Sequence, residues 1–263
     1  MFEHALATYR KRGIILELAR TDFRSRYTGS LLGAVWAFAQ PVLTIVLYLF
    51  IHKVGFRSGA PNGVPFVLWL IVGMVPWFFF TDALVAVTSS FIEYSFLVKK
   101  IVFEVSILPT IKLVSAALIH VVVWVLLLLI LAFSGFLPTL AWLQVPYYFL
   151  AVYALISGIG RIAAVITPFF RDLAQVVIVS LQFFFWLTPI LWSVEQAPPR
   201  FAAILKLNPV YYIVEGLRDA LLLGKPFWEH PLLTAYFWGF VLLTNLIALA
   251  LFQRLRPHFA DVL

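Results

Sequence analysis

The chain has 263 residues, 63% hydrophobic and 12% charged, with a mean hydropathy of +1.00 and a net charge of +7. A soluble domain is about half apolar and about a quarter charged, so this chain carries more apolar surface than a core of its size hides. An ordinary soluble enzyme, a disordered scaffold and a nucleic-acid-binding module are excluded, and an integral membrane protein remains.

In that setting the positive charge points to cytoplasmic flanks and anionic lipid headgroups, not to nucleic acid. Cysteine is absent, so there is no disulfide framework and no thiol nucleophile.

Residues 1–29 hold Arg10, Lys11, Arg12, Arg20, Arg24 and Arg26 but no apolar run long enough for a signal peptide. This end is expected in the cytoplasm. Its helical pattern breaks at Gly13, after which Glu17, Arg20 and Arg24 form a polar stripe opposite Ile14, Ile15, Leu18 and Phe23. Such a helix lies in the inner interface. It serves either as a topology anchor or as a receiver of substrate.

Six membrane spans follow, at about 31–51, 65–88, 106–133, 143–168, 174–192 and 232–251. The expected fold class is therefore an all-α integral membrane protein with six transmembrane helices and both termini cytoplasmic. On that topology thirteen of the Lys and Arg residues fall inside and six outside, the bias that the positive-inside rule requires.

The segment between the last two spans is expected as a pair of helices over 199–224 on the outer side. Asn208 is its N-cap, with Pro209 at the first helical position. Val210, Ile213, Val214, Leu217 and Leu221 make one apolar stripe, with Tyr211, Glu215, Arg218 and Asp219 facing the other way. Gly224-Lys225-Pro226 ends the helix. The pair is too polar to span, and it fits either packing onto the spans or a lid over an exit.

Ionisable residues at span depth are few: Asp82, His120 and Arg161, with Lys112 nearer an end. Asp82 has no evident sequence partner, whereas ion-driven transporters need acidic or paired groups near the midplane. Arg161 is placed to snorkel, and His120 reads first as a packing residue. No HExxH or GxSxG pattern occurs, and Gly224-Lys225 lacks the upstream glycine and following Ser or Thr of a P-loop. Energy for any transport must come from a partner or a gradient.

Aromatic residues are plentiful, with 26 Phe, 10 Tyr and 9 Trp. Trp142, Tyr147, Tyr148 and Trp192 suit interfacial belts. Trp36, Phe38, Trp77, Phe183, Phe184, Phe185 and Trp186 sit at span depth. They are either packing bulk or a substrate path whose flat faces accept the apolar C–H surfaces of sugar rings. Pro41, Pro76 and Pro189 interrupt spans, and Gly158 and Gly160 permit close helix approach.

Several motifs carry a resemblance over nearly the whole chain. Arg24-Ser25-Arg26-Tyr27 is followed by Leu32-Gly33-Ala34-Val35-Trp36 and Pro41. Then come Leu97-Val98-Lys99-Lys100-Ile101-Val102-Phe103, Ile107-Leu108-Pro109 and Phe170-Arg171-Asp172-Leu173. Leu187-Thr188-Pro189-Ile190, Leu207-Asn208-Pro209 and Glu215 complete the series. In this order and spacing they resemble the permease subunits of ABC-2 type exporters, in the group that moves polysaccharide, O-antigen or teichoic-acid (polyol phosphate) polymers. One departure is visible: where that family often reads Pro-x-Glu after Phe103, Glu104 and Ser106 stand here.

The resemblance implies the transmembrane subunit of an ATP-driven exporter of a lipid-linked polysaccharide (O-antigen-, capsule- or teichoic-acid-like) in the bacterial cytoplasmic (inner) membrane. It implies a homodimer of this chain among membrane lipids, over a cytoplasmic ABC ATPase dimer that holds ATP and Mg. The chain itself would have no catalytic residue, metal or cofactor. The loop over 90–103, with Glu93, Tyr94, Lys99 and Lys100, would couple to the ATPase. Arg24 and Arg26 would meet the pyrophosphate of the lipid carrier, because guanidinium pairs well with phosphate oxygens. Tyr211, Tyr212, Glu215 and Arg218 would form an outer gate. Two alternatives remain: an ABC-2 exporter of small molecules or lipids, sharing the fold, and a membrane-embedded glycan-modifying enzyme, which needs a carboxylate or His constellation that is not evident.

Overall fold

Apolar runs of this length cannot leave backbone N–H and C=O groups unpaired in hydrocarbon, and a helix pairs them within one segment. The computed structural model describes residues 11–27, 33–51, 63–98 and 104–262, and among these the chain is helical with no strand. The helices are α1 (Arg12–Tyr27), α2 (Trp36–Ile51), α3 (Phe66–Thr88), α4 (Ser90–Glu93), α5 (Ser95–Val98) and α6 (Leu108–Phe133). They continue with α7 (Val145–Ile166), α8 (Leu173–Leu187), α9 (Pro199–Leu205), α10 (Pro209–Arg218), α11 (Pro231–Leu255) and α12 (Phe259–Val262).

Among the described residues four helical segments are long and apolar enough to cross a membrane: Phe66–Thr88, Val105–Phe133, Leu140–Ile166 and Pro231–His258. The apolar helices α2 and α8 are shorter. The 15 residues of α8 reach about 22 Å, against a hydrocarbon layer of about 30 Å. The pattern predicted this span to 192, but the helix stops at Leu187. Pro189 has no N–H to donate and its ring conflicts with a helical carbonyl at 185. Pro41 and Pro76, by contrast, lie inside α2 and α3.

Helix α3 is the centre of the bundle. Leu70, Val72, Met74, Phe79, Ala83 and Val87 are wholly buried, and α3 packs on α6, α7, α8 and α10. The α7–α11 contact is close because Gly158 has no side chain: a Cβ there would overlap Thr244. Ser157 donates to Asn245 across the same seam at 2.6 Å. Gly160 performs the equivalent service toward Val87 on α3.

The two ends of the bundle differ. At one end lie α1, α4 and α12, where Phe91 stacks on Phe252 and tilts onto Phe259. At the other end lie α9 and α10. Asn208 caps α10, its Oδ1 accepting from the Val210 N–H at 3.0 Å, and Pro209 takes the first turn. The helix then loosens into a π turn over Asp219–Leu223 and stops at Gly224, whose φ of 68° is left-handed. Both terminal signals act as the spacing predicts.

The expected polar face of α10 is a different matter. Tyr211 and Arg218 are buried with the apolar stripe, because α3, α7 and α11 flank this helix together.

Candidate functional site

At the α1 end, seven side chains from four segments form one polar network. Lys112 on α6 is 5% exposed and donates to Asp22 Oδ1 at 2.6 Å and to Glu93 Oε2 at 2.5 Å. The Tyr94 hydroxyl donates to the same Asp22 oxygen at 2.7 Å, and its ring lies 4.9 Å from the Lys112 ammonium. Arg26 donates from Nε to Asp22 Oδ2 at 3.3 Å and pairs from Nη1 with Asp82 at 3.6 Å. Asp82 in turn faces His120 Nε2 at 3.5 Å. The network therefore joins α1 to α3, to the short turns that follow it and to α6.

The docked stripe of α1 is Ile15, Ala19, Asp22 and Arg26, spaced i, i+4, i+7, i+11. The apolar stripe predicted from the sequence included Ile14, which is instead 51% exposed. Ion pairing sets the rotation of this helix. Burial alone would push the Asp22 carboxyl upward, yet the hydrogen bonds from Lys112 and Tyr94 prevail and hold it below its ordinary range. Asp22 and its pairing with Lys112 escaped the sequence reading. The available signal was a carboxylate one helical period from Ala19, on the buried side of an amphipathic helix.

Of the residues expected to couple to an ATPase, Glu93 and Tyr94 sit inside this network. Lys99 and Lys100 lie outside the described residues. Arg24 is exposed on α1, two residues before Arg26. Glu104, in the place where the motif departs from its family, pairs with Lys11 and accepts from Ser106 at 3.0 Å. Lys11, first among the causes, lowers the Glu104 carboxyl. Arg161 donates to Thr110 at 2.9 Å.

The aromatic set divides. Trp77 and Phe185 are buried, with ring centroids 5.6 Å apart, and Phe185 also stacks on Tyr48 at 5.3 Å. This triplet ties α2, α3 and α8 together. Trp36, Phe183, Phe184 and Trp186 are at least half exposed, and Phe38 is half-buried. The exposed group is available to a ligand, lipid or second chain; the buried pair is engaged within the chain.

At the opposite end Arg218 is a buried node. Its guanidinium donates to the carbonyls of Pro189 and Ile190, each at 2.8 Å, and of Trp69 at 3.3 Å. It also pairs with Glu215 at 2.6 Å and covers the Trp69 ring at 3.3 Å. A Cβ at Gly73 would overlap this guanidinium, so the glycine makes the room. The broken end of α8 is thereby satisfied by a charge from α10. Burial raises the Glu215 carboxyl even with Arg218 alongside. Tyr212 shares a 2.5 Å hydrogen bond with Tyr147, whose hydroxyl also accepts from Trp238 at 2.8 Å. Burial raises both the Tyr211 and the Tyr212 phenol.

Beside this node a cavity of about 520 Å³ opens between α10, the start of α3 and the start of α11. Among the described residues no group of His, Asp and Glu converges in the manner of a metal site.

Residues 15–222 match the family described as ABC-2 type transporter. The chain is 28% identical over 251 residues to the O-antigen export system permease protein RfbA of Klebsiella pneumoniae, covering 95% of each chain. It is 29% identical to the protein of the same name from Myxococcus xanthus, covering 96% of each. With the polysialic acid transport protein KpsM of Escherichia coli it shares 24% identity over 241 residues, or 88% of this chain and 89% of that one.

Proposed function

The chain belongs to the ABC-2 type transporter family, and from that premise we propose that it is the membrane-spanning subunit of a polysaccharide exporter. The observation that carries this reading is the end-to-end likeness to O-antigen export permeases, together with a likeness to a polysialic acid transport protein. The substrate is a lipid-linked glycan, moved across the bacterial cytoplasmic membrane.

Six spans place both termini inside, with α2 and α8 as the two short crossings. Two copies enclose the path, and a separate ATPase dimer beneath them hydrolyses ATP. The network around Lys112 supports a transmission role, because it binds the segment containing Glu93 and Tyr94 to α1 and α6. A push on that segment is passed to two spans and to the interfacial helix at once. Arg24, exposed on α1, is the first guanidinium offered to a carrier pyrophosphate, with Arg26 behind it, held by two carboxylates. At the far end the Arg218 node fixes α10 to the broken end of α8, which suits a gate element that moves with that span.

Deletion of the gene is expected to abolish the surface glycan and to leave undecorated polymer in the cytoplasm, with restoration by a plasmid copy. Unchanged surface glycan in the deleted strain would overturn the reading.

A further inference from the structure

The cavity at the α10 end has features that a gate does not require. Tyr148 on α7 is 1% exposed and Tyr211 on α10 is 7% exposed. Both line the cavity, and neither hydroxyl has a hydrogen-bond partner among the described residues. The Tyr148 hydroxyl lies against Gly216, where a Cβ would overlap it, so a glycine on α10 keeps this phenol in place at the cavity wall. An occupant of this space can therefore hydrogen-bond to either phenol, each able to give or receive.

The surrounding chemistry narrows the class. Four carboxylates, Glu195, Glu215, Asp219 and Glu229, line the space along with Lys206, Arg218, Lys225 and His230. Glu215 is paired with Arg218 and Asp219 faces His230, so neither sign of charge prevails to select an ion, and acceptors, donors and amphoteric phenols together match groups that both give and receive hydrogen bonds. Phe227 and Leu222 add apolar surface, suited to the C–H face of a ring. The volume lies within the range of about 300–1,000 Å³ usual for small-ligand sites.

We infer that this cavity is a saccharide-binding subsite, which holds a neutral, polyhydroxylated segment of the emerging glycan against Tyr148 and Tyr211. The inference rests on the polysaccharide-export reading and adds to it a holding site within each chain, separate from the exposed aromatics. A glycan held there resists slipping back while the transporter resets.

The test uses the full chain in cells that make the polymer. Leu222 is replaced by the photo-cross-linker p-benzoylphenylalanine, as is the exposed Val125 on α6 in a control. After illumination the purified protein is stained for periodate-sensitive carbohydrate and its adducts are examined for phospholipid. A glycan adduct at 222 and none at 125 is expected. The pair Tyr148→Phe and Tyr211→Phe, which removes only the two hydroxyls, is expected to lower the 222 adduct about tenfold, as two lost hydrogen bonds imply. Phospholipid alone at 222 overturns the inference, as does an adduct that the paired substitution leaves unchanged. Export is followed in the same cells: absence of the adduct while export proceeds defeats the subsite and leaves the export reading intact.

Discussion

Lys112 is the side chain on which the network at the α1 end depends, since among the described residues it alone donates to both Asp22 and Glu93. Removing one partner of a buried ion pair leaves the other charge without compensation, at a cost of about 3–5 kcal/mol. Lys112→Met is therefore expected to lower the thermal midpoint of the detergent-purified protein sharply. Adding Asp22→Asn should recover much of the loss, and simple additivity of the two losses would refute the pairing.

The same carboxylate sets a pH limit. Its folded value lies below the ordinary 3.8, so its stabilisation is present above 3.8 and is lost as pH falls through the folded value. A spin label at Arg20→Cys, unambiguous in a chain without cysteine, is expected to report a docked α1 at pH 5. Release should begin only below about pH 4; release nearer neutrality would mean that another group controls docking. Hydropathy revealed neither the partner of Asp82 nor the importance of Lys112. Ion pairs between residues 90 positions apart leave no periodic trace in a sequence.

Helices show the same division between local and distant causes. The ends of α10 follow from Asn208, Pro209 and Gly224, because a cap is a contact among neighbours in the chain. Burial of Arg218 does not, since it requires Gly73, Trp69 and the unwound carbonyls of Pro189 and Ile190 to converge. Gly73→Ala is expected to displace the guanidinium and cost about 1–3 kcal/mol, read as a lower thermal midpoint. An unchanged midpoint would show that the node tolerates a methyl group.

The aromatic set allows a comparison between positions. Trp77→Ala empties a buried contact between α3 and α8, and should destabilise by about 3–5 kcal/mol. Trp186→Ala alters a side chain that is 61% exposed. It should leave stability within about 0.5 kcal/mol of the parent while slowing export. Normal export from the Trp186 variant would reduce that side chain to surface bulk.

For the whole molecule, topology is the property most open to direct measurement. Single cysteines at Arg171 and Lys206 should react with an impermeant thiol reagent from opposite faces of the membrane, the first from inside and the second from outside. Labelling of both from one face would break the six-span arrangement. The short α8 is accommodated where its broken end meets Arg218, a device that a hydropathy window cannot register.

Composition, charge and local sequence pattern by themselves determined that the chain is a helical membrane protein, approximately where its long spans lie, and which residues start and stop α10. Apolar content, helix period and caps are properties of contiguous residues, so they are written along the chain. The tertiary structure alone decided which polar side chains meet. The Asp22–Lys112–Glu93 cluster, the Arg218 node, and the separation of buried Trp77 and Phe185 from exposed Trp186 each depend on helices distant in sequence. In a core this apolar, a buried charge is stable only where its partners converge in space, and that convergence belongs to the packed bundle.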